Sequence, residues 1–263
     1  MESIVYWINE IVWSNALVIL CLCTGLFFSF KLRFPQVRLF REMIRLLFGT
    51  KKSDEGISSF QAFTLAISGR IGTGNIAGVA TAIAMGGPGA VFWMWAIAFL
   101  GSASAVIEAT LSQTYKEVSK GEFRGGPAYY ILKGLKSRPF AVLFAVTTVV
   151  SCGFLLPSVQ SNSIALAVEK AFNFSTLHTA IAVCLLLALI IIGGVKRISK
   201  VAEVVVPFMA ISYIVMALVI IGLNISEVPQ MFSLIFKSAF GLDATFGGMV
   251  GAAISWGVQR GIY

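Results

Sequence analysis

The residues with the clearest chemical potential lie in one run, Ser68-Gly69-Arg70-Ile71-Gly72-Thr73-Gly74-Asn75-Ile76-Ala77-Gly78. Four glycines, an arginine, a threonine and an asparagine interrupt an apolar stretch from Phe60 to about Met85. Such a stretch is long enough to cross a bilayer. Irregular, polar backbone at that depth persists only where protein buries it or where it lines a watery cavity. An ionisable residue there marks a functional site by default. The run therefore predicts a discontinuous helix that binds something polar. With the break at Gly72-Thr73-Gly74-Asn75, the bare amides opening the outer half-helix, from Ile76 onward, suit a carboxylate. The carbonyls closing the inner half, near Ser68, Gly69 and Ile71, suit a cation such as Na⁺. A packing reading competes, because Gly74 and Gly78 have the spacing of small residues at close helix crossings. Packing alone does not require Arg70, Thr73 and Asn75 in adjacent turns.

Other polar residues extend the set. Gln160 and Asn162 follow Pro157 and offer amide donors and acceptors to a zwitterionic ligand. Their alternative is interhelical hydrogen bonding, worth about 0.6 kcal/mol in such bundles. Arg70 is read first as the ion-pair partner of Glu108, holding two spans together, and second as a substrate ligand, since buried membrane charges are normally paired. Ser255, Trp256 and Gln259 sit where a second break is expected, and Trp256 either closes one side of a pocket or is an ordinary packed aromatic. Catalysis finds no support. There is one histidine, His178, at an outer boundary, and no P-loop, zinc-type cluster, Ser-His-Asp set or dinucleotide fingerprint. The expectation is a non-enzyme without cofactor. ATP energy would need another chain, whereas ion coupling needs none. The four cysteines, Cys21, Cys23, Cys152 and Cys184, fall in apolar spans and read as buried free thiols.

Composition sets the class of element that positions these residues. Of 263 residues, 57% are hydrophobic and 12% charged, with mean hydropathy +0.88. Soluble domains carry roughly 25% charged residues, so the chain reads as a polytopic, all-α membrane protein. The net charge of +8 does not describe a nucleic-acid groove, because 16 of 20 Lys and Arg cluster in residues 31–56, 116–138 and 195–200. That is the positive-inside pattern. It places those three loops inside, the N-terminus outside, and the interrupted span running inside to outside. Residues 3–13, with Trp7 and Trp13, form an amphipathic lead-in. Span 1 covers about 14–31 and is retained, since no basic segment precedes it. Residues 31–52 form a basic amphipathic helix on the inner leaflet. Span 2 is the interrupted one, about 58–85, followed by a Gly86-Gly87-Pro88-Gly89 turn. Span 3 runs 89–115. Loop 116–138 contains Gly125-Gly126-Pro127, a turn opening a short helix. Span 4, 139–168, should kink at Pro157. Span 5 is 178–194, span 6 is 202–223, and 226–240 is interfacial. A glycine-rich seventh run starts near Phe246 and would lie antiparallel to span 2. Two interrupted segments at corresponding positions point to a midplane site in an inverted-repeat transporter. The expected organisation is 1–57 as an extra helix with the inner interfacial helix, 58–224 as a first five-helix repeat, and 225–263 as the interfacial segment and the start of a second repeat.

The blocks GRIGTGNIAGVATAIAMGGPGAVFWMW (69–95), GGPAYYI (125–131), QSNSIA (160–165) and GVQRGIY (257–263) resemble the alanine/glycine:cation symporter family, the sodium:alanine carriers. The resemblance covers essentially the whole chain. It implies a leucine-transporter-type (APC-like) inverted-repeat fold of eleven spans in the plasma membrane. It implies co-transport of a small neutral amino acid with Na⁺, or in some members H⁺, as coupling ion. It matches Thr73, Gly74 and Asn75 to the family's substrate-binding break and Gln160 to a polar position of its pocket. The family's second broken helix usually continues with a Ser-Asn-Glu-Ala-Gly type run just beyond a segment like 257–263, so the chain alone is expected not to transport. A non-transporting membrane interaction protein is the alternative.

Overall fold

The structure is a computed structural model describing residues 15–49, 57–119, 122–241 and 250–262. The lead-in at 3–13 and the start of the seventh run at Phe246, Gly247 and Gly248 lie outside the described residues. The chain is helical. In order come α1 (Asn15–Lys31), α2 (Pro35–Arg38), α3 (Phe40–Gly49), α4 (Ser59–Ser68), α5 (Ala77–Gly86) and α6 (Gly89–Thr114). They are followed by α7 (Pro127–Gly134), α8 (Arg138–Val150), α9 (Leu156–Phe172), α10 (Thr176–Ile191), α11 (Gly194–Leu223), α12 (Val228–Phe240) and α13 (Val250–Ile262). Among the described residues, three stretches are long and apolar enough to cross a membrane: Gly89–Thr114, Arg138–Phe172 and Gly194–Leu223. The fifth expected span is α10, 16 residues long, and span 2 is divided into two helices of 10 residues each.

Local chemistry explains the boundaries. A capping box opens α4: Ser58 Oγ accepts from the Gln61 N–H at 3.1 Å, and Gln61 Oε1 accepts from the Ser58 N–H at 3.1 Å. Gly87 has φ +73°, which turns α5 into α6. Gly126, at φ +99°, precedes Pro127 at the first turn of α7.

The membrane fold is all-α as expected, and the loop after α6 adds one short antiparallel pair, β1 (Glu117–Ser119) with β2 (Glu122–Arg124), in which Val118 faces Phe123. Several expectations are corrected. At Pro157, where span 4 is expected to kink, the helix runs on through a local distortion. A π-helical turn, Ser151–Leu155, precedes the proline, and the Leu156 N–H reaches back five residues to the Ser151 carbonyl. Proline lacks an N–H and crowds the carbonyl four residues earlier, and a widened turn accommodates both. Lys196, Arg197 and Lys200 are not in a loop: α11 begins at Gly194, whose φ of +70° makes the turn. Three of the four cysteines are exposed on helix surfaces, with Cys21 half-buried, so the thiols are free but not buried in protein. In a membrane helix a residue can be apolar because it meets lipid rather than a protein core.

The chain divides into two compact units. One comprises Met1–Met43, Gly74–Ile107 and Met216–Tyr263. Its helices pack through small residues. On α5, Gly74 just before the helix, then Gly78, Ala82 and Gly86, form a row at four-residue spacing that faces α13, with Ala82 and Gly86 buried. On α13, Ala253 is buried, a Cβ at Gly257 would lie 2.6 Å from the Ala90 carbonyl oxygen, and one at Gly261 would lie 2.9 Å from Ile97. A Cβ at Gly25 on α1 would lie 3.1 Å from the Leu100 carbonyl oxygen. These are close approaches of the kind that hold membrane helices together without a hydrophobic driving force. Helix α12 docks on the start of α6. The Gly89 N–H donates to Ser238 Oγ at 3.0 Å, the Trp93 indole donates to the Ala239 carbonyl at 3.4 Å, and Phe92 meets Phe240 edge-on at 4.9 Å.

The other unit comprises Ile44–Thr73 and Glu108–Val215. Here Phe48 stacks on Phe60, α7 packs on α8, and α9 on α10. The side chain of Gln61 donates to Glu203 Oε2 of α11 at 2.8 Å. The hairpin is tied to α7 by Lys133, which bonds Glu117 at 2.8 Å and lies over the Tyr129 ring.

Candidate functional site: the break between Ser68 and Ala77

The helix across 59–86 is interrupted. Its first half closes with N–H groups of Arg70 and Ile71 both donating to the Ile67 carbonyl at 2.9 Å. A single 3₁₀ turn, Thr73–Asn75, follows, and α5 starts at Ala77. Glycines at 69, 72 and 74 remove the side chains that would otherwise favour one continuous helix.

In the unit containing Thr73, the break is held by Gln160 of α9. Gln160 Oε1 accepts the Thr73 N–H and the Thr73 hydroxyl, each at 3.0 Å. The amide nitrogen of the same side chain lies against Gly72, where a Cβ would collide with it. So Gly72 is glycine because Gln160 crosses its face. Arg70, Ser68, Gly69 and Ile71 are exposed, and Ser68 Oγ donates back to the Leu65 carbonyl at 2.7 Å. Glu108 is exposed on α6 near Tyr130. Burial first, and then the Glu108 charge, push the Tyr130 phenol above its ordinary value of 10.0.

In the unit containing Gly74, the first turn of α5 faces Arg260 of α13. A Cβ at Gly78 would sit 2.7 Å from Arg260 Cζ and 2.8 Å from Nε, and one at Gly74 would collide with Nη2. Trp256, one turn earlier, has its Cβ 3.0 Å from the position of a Cβ on Gly86 and is 36% exposed. Asn75 is exposed. The second break expected at Ser255, Trp256 and Gln259 does not occur there: α13 is continuous over Val250–Ile262, and Gln259 donates to Ser255 one turn back at 3.2 Å. The packing role of Gly74 and Gly78 is real, with an arginine side chain as the filler. Arg260 is absent from the residues singled out by spacing and polarity, although an arginine in an apolar helix, opposite a four-residue glycine row, is the signal that points to it.

The sequence model of the sodium:alanine symporter family matches residues 1–263. The chain belongs to that family. Its members are symporters, not enzymes. The chain is 57% identical over 263 residues to a putative sodium/proton-dependent alanine carrier protein, YrbD, of Bacillus subtilis, covering 100% of this chain and 54% of the relative. It is 48% identical to the probable sodium/glutamine symporter GlnT of the same organism, covering 100% of this chain and 55% of that protein. It is 42% identical to the sodium/alanine symporter AgcS of Methanococcus maripaludis, covering 99% and 59%. The chain thus spans about half the length of the curated relatives it matches. In this symporter-family chain the break, Gln160 and Arg260 fall within the matched region.

Proposed function

We propose that the carrier, at its full encoded length, performs sodium-coupled symport of a small neutral amino acid, alanine or glycine, across the plasma membrane. The N-terminus is outside in this reading, and the proton is an alternative coupling ion. The fold proposed is the leucine-transporter type, with 58–224 as its first repeat, 1–57 as the added helix and 225–263 opening the second repeat. The observation that carries the reading is the break at 69–76 in a chain of a symporter family. A broken span offers a positive dipole end to a carboxylate and free carbonyls to a cation, without any charged cage.

The substrate set is Thr73, Gly74, Asn75, Gln160 and Trp256. Sodium is assigned to the carbonyls of Ser68, Gly69 and Ile71 at the end of α4. Arg70 and Glu108 are assigned as a structural ion pair. Alanine is favoured as substrate by the name of the relative at 57% identity, and glutamine, in the name of the relative at 48%, is the competitor to include.

The test is uptake of labelled alanine by proteoliposomes holding the carrier, with an inward Na⁺ gradient. Uptake should fall to background when choline replaces Na⁺, or when the proton gradient is collapsed if H⁺ couples. Excess unlabelled glycine should compete and glutamine should not. Uptake indifferent to both ions sinks the coupling reading, and glutamine as the better competitor sinks the substrate reading.

A further inference from the structure

The contacts of Arg260 with the start of α5 carry a consequence for the proposed activity, on which this inference rests. The guanidinium lies on a notch made by two residues without side chains, Gly74 and Gly78, the second of them inside the first turn of α5. Arg260 is half-buried and comes from the last turn of α13, a helix in which the small residues Ala253, Gly257 and Gly261 pack closely on its neighbours. The anchored helix therefore reaches the start of α5 through one planar group. The residues immediately before that turn, Thr73 to Asn75, are the ones assigned to substrate.

We propose that Arg260 is a positioning residue for substrate binding: its planar guanidinium, seated between Gly74 and Gly78, sets where the first turn of α5 stands. The role belongs to shape more than to charge. A guanidinium is a rigid plane able to cover both glycines, whereas an ammonium is a compact point on a flexible stem. Lysine at 260 keeps the charge and leaves the notch unfilled.

The two glycines supply a second way to move the same group. At Gly257 a Cβ would strike the Ala90 backbone, which cannot give. At Gly78 the nearest atoms it would strike all belong to the end of the Arg260 side chain. Alanine at 78 therefore displaces the guanidinium without breaking a helix crossing.

The experiment measures alanine uptake by the full-length carrier as KM and Vmax per molecule in the membrane, for Arg260→Ala, Arg260→Lys, Gly78→Ala and the Arg260→Ala/Gly78→Ala double variant. Each single variant should raise KM by about tenfold, the scale of coupling between residues in contact, with thermal unfolding in detergent little changed. Lysine should not rescue. The double variant should be no worse than Arg260→Ala alone, because a Cβ at 78 then has room. Full rescue by lysine overturns the shape argument. Additive losses overturn the shared notch. Unchanged KM with a reduced amount of folded protein shows a packing role alone and overturns the proposal. If Arg260→Ala does not reach the membrane, Gly78→Ala with Arg260→Lys decides in the same way. Absent uptake by the unsubstituted carrier overturns both this inference and the transport reading, whereas uptake with unmoved KM in every variant overturns only this one.

Discussion

Gln160 and Thr73 are joined twice: one amide oxygen on α9 accepts both the backbone N–H and the hydroxyl of the threonine, each at 3.0 Å. Two donors of a broken helix are thus satisfied by one side chain 87 residues away. An irregular turn at membrane depth must find such partners or forfeit about 1–3 kcal/mol per unpaired group. Gln160→Met, of similar size but without the acceptor, should reduce alanine uptake at least about tenfold, since about 1.4 kcal/mol is a factor of ten. Thr73→Ser, which keeps both donors, should stay near the parent, and Thr73→Val should fall between. Initial uptake rates normalised to membrane protein check this, and a Gln160→Met carrier as active as the parent sinks the assignment.

Gly72 is predicted to be intolerant for the same reason. Its missing side chain is the space through which Gln160 reaches Thr73. Gly72→Ala should displace the Gln160 amide, lower uptake as Gln160→Met does, and add little in the Gln160→Ala background. A loss that persists undiminished in that background would point to backbone conformation at 72 instead.

The break was legible because glycines and polar residues cluster inside an apolar run, where a continuous lipid-facing helix has no use for them. The helices Pro35–Arg38 and Phe40–Gly49 followed from the basic and apolar residues interleaved over 31–52. The partners were not legible. Gln160 stood out as a polar residue after a proline and, through the family resemblance, as a pocket position, yet nothing in sequence spacing couples 160 to 73. Arg260 was hidden inside a block that reads as glycine-rich helix. The expected second break failed because Ser255 and Gln259 resemble break residues in type, yet they bond each other one turn apart inside a continuous helix. Glycines at 257 and 261 likewise serve close crossings with α6 and leave the helix unbroken.

Glycine substitutions should therefore separate by what a Cβ meets. At Gly257 it would lie 2.6 Å from both the Ala90 carbonyl oxygen and Trp93 Cβ, whereas at Gly101 nothing lies within 4 Å. Gly257→Ala should destabilise by about 1–3 kcal/mol through overpacking, and Gly101→Ala should be neutral or stabilising by about 0.5–1 kcal/mol through backbone entropy. Thermal unfolding of the purified carrier reads both, and equal behaviour of the two variants would sink the packing account.

Ser238 acts as a capping residue from another helix, since its hydroxyl takes the first N–H of α6 at a buried position. Ser238→Ala should cost about 1 kcal/mol, the typical value of a lost cap. Ser238→Thr keeps the hydroxyl but adds a methyl where there is no room, so it should not restore the parent. A melting temperature unchanged in Ser238→Ala would show that another acceptor serves Gly89.

Gln61 performs two tasks with one amide. Its oxygen closes the capping box of α4 by accepting from Ser58, and its nitrogen donates to Glu203 on α11. Glutamate at 61 keeps the first task, because a carboxylate also completes a capping box. It loses the second, since two carboxylates then face each other across 2.8 Å. Gln61→Glu should therefore destabilise the carrier, by about 1 kcal/mol at this half-buried site where solvent screens the repulsion. Glu203→Gln alone should cost less, because an amide oxygen still accepts from Gln61. The double variant Gln61→Glu/Glu203→Gln reverses donor and acceptor and should recover most of the loss. Thermal unfolding of the four proteins forms the cycle. Recovery in the double variant ties α4 to α11 through this one bond, and a double variant as weak as the sum of the singles would show that the two side chains act on stability independently.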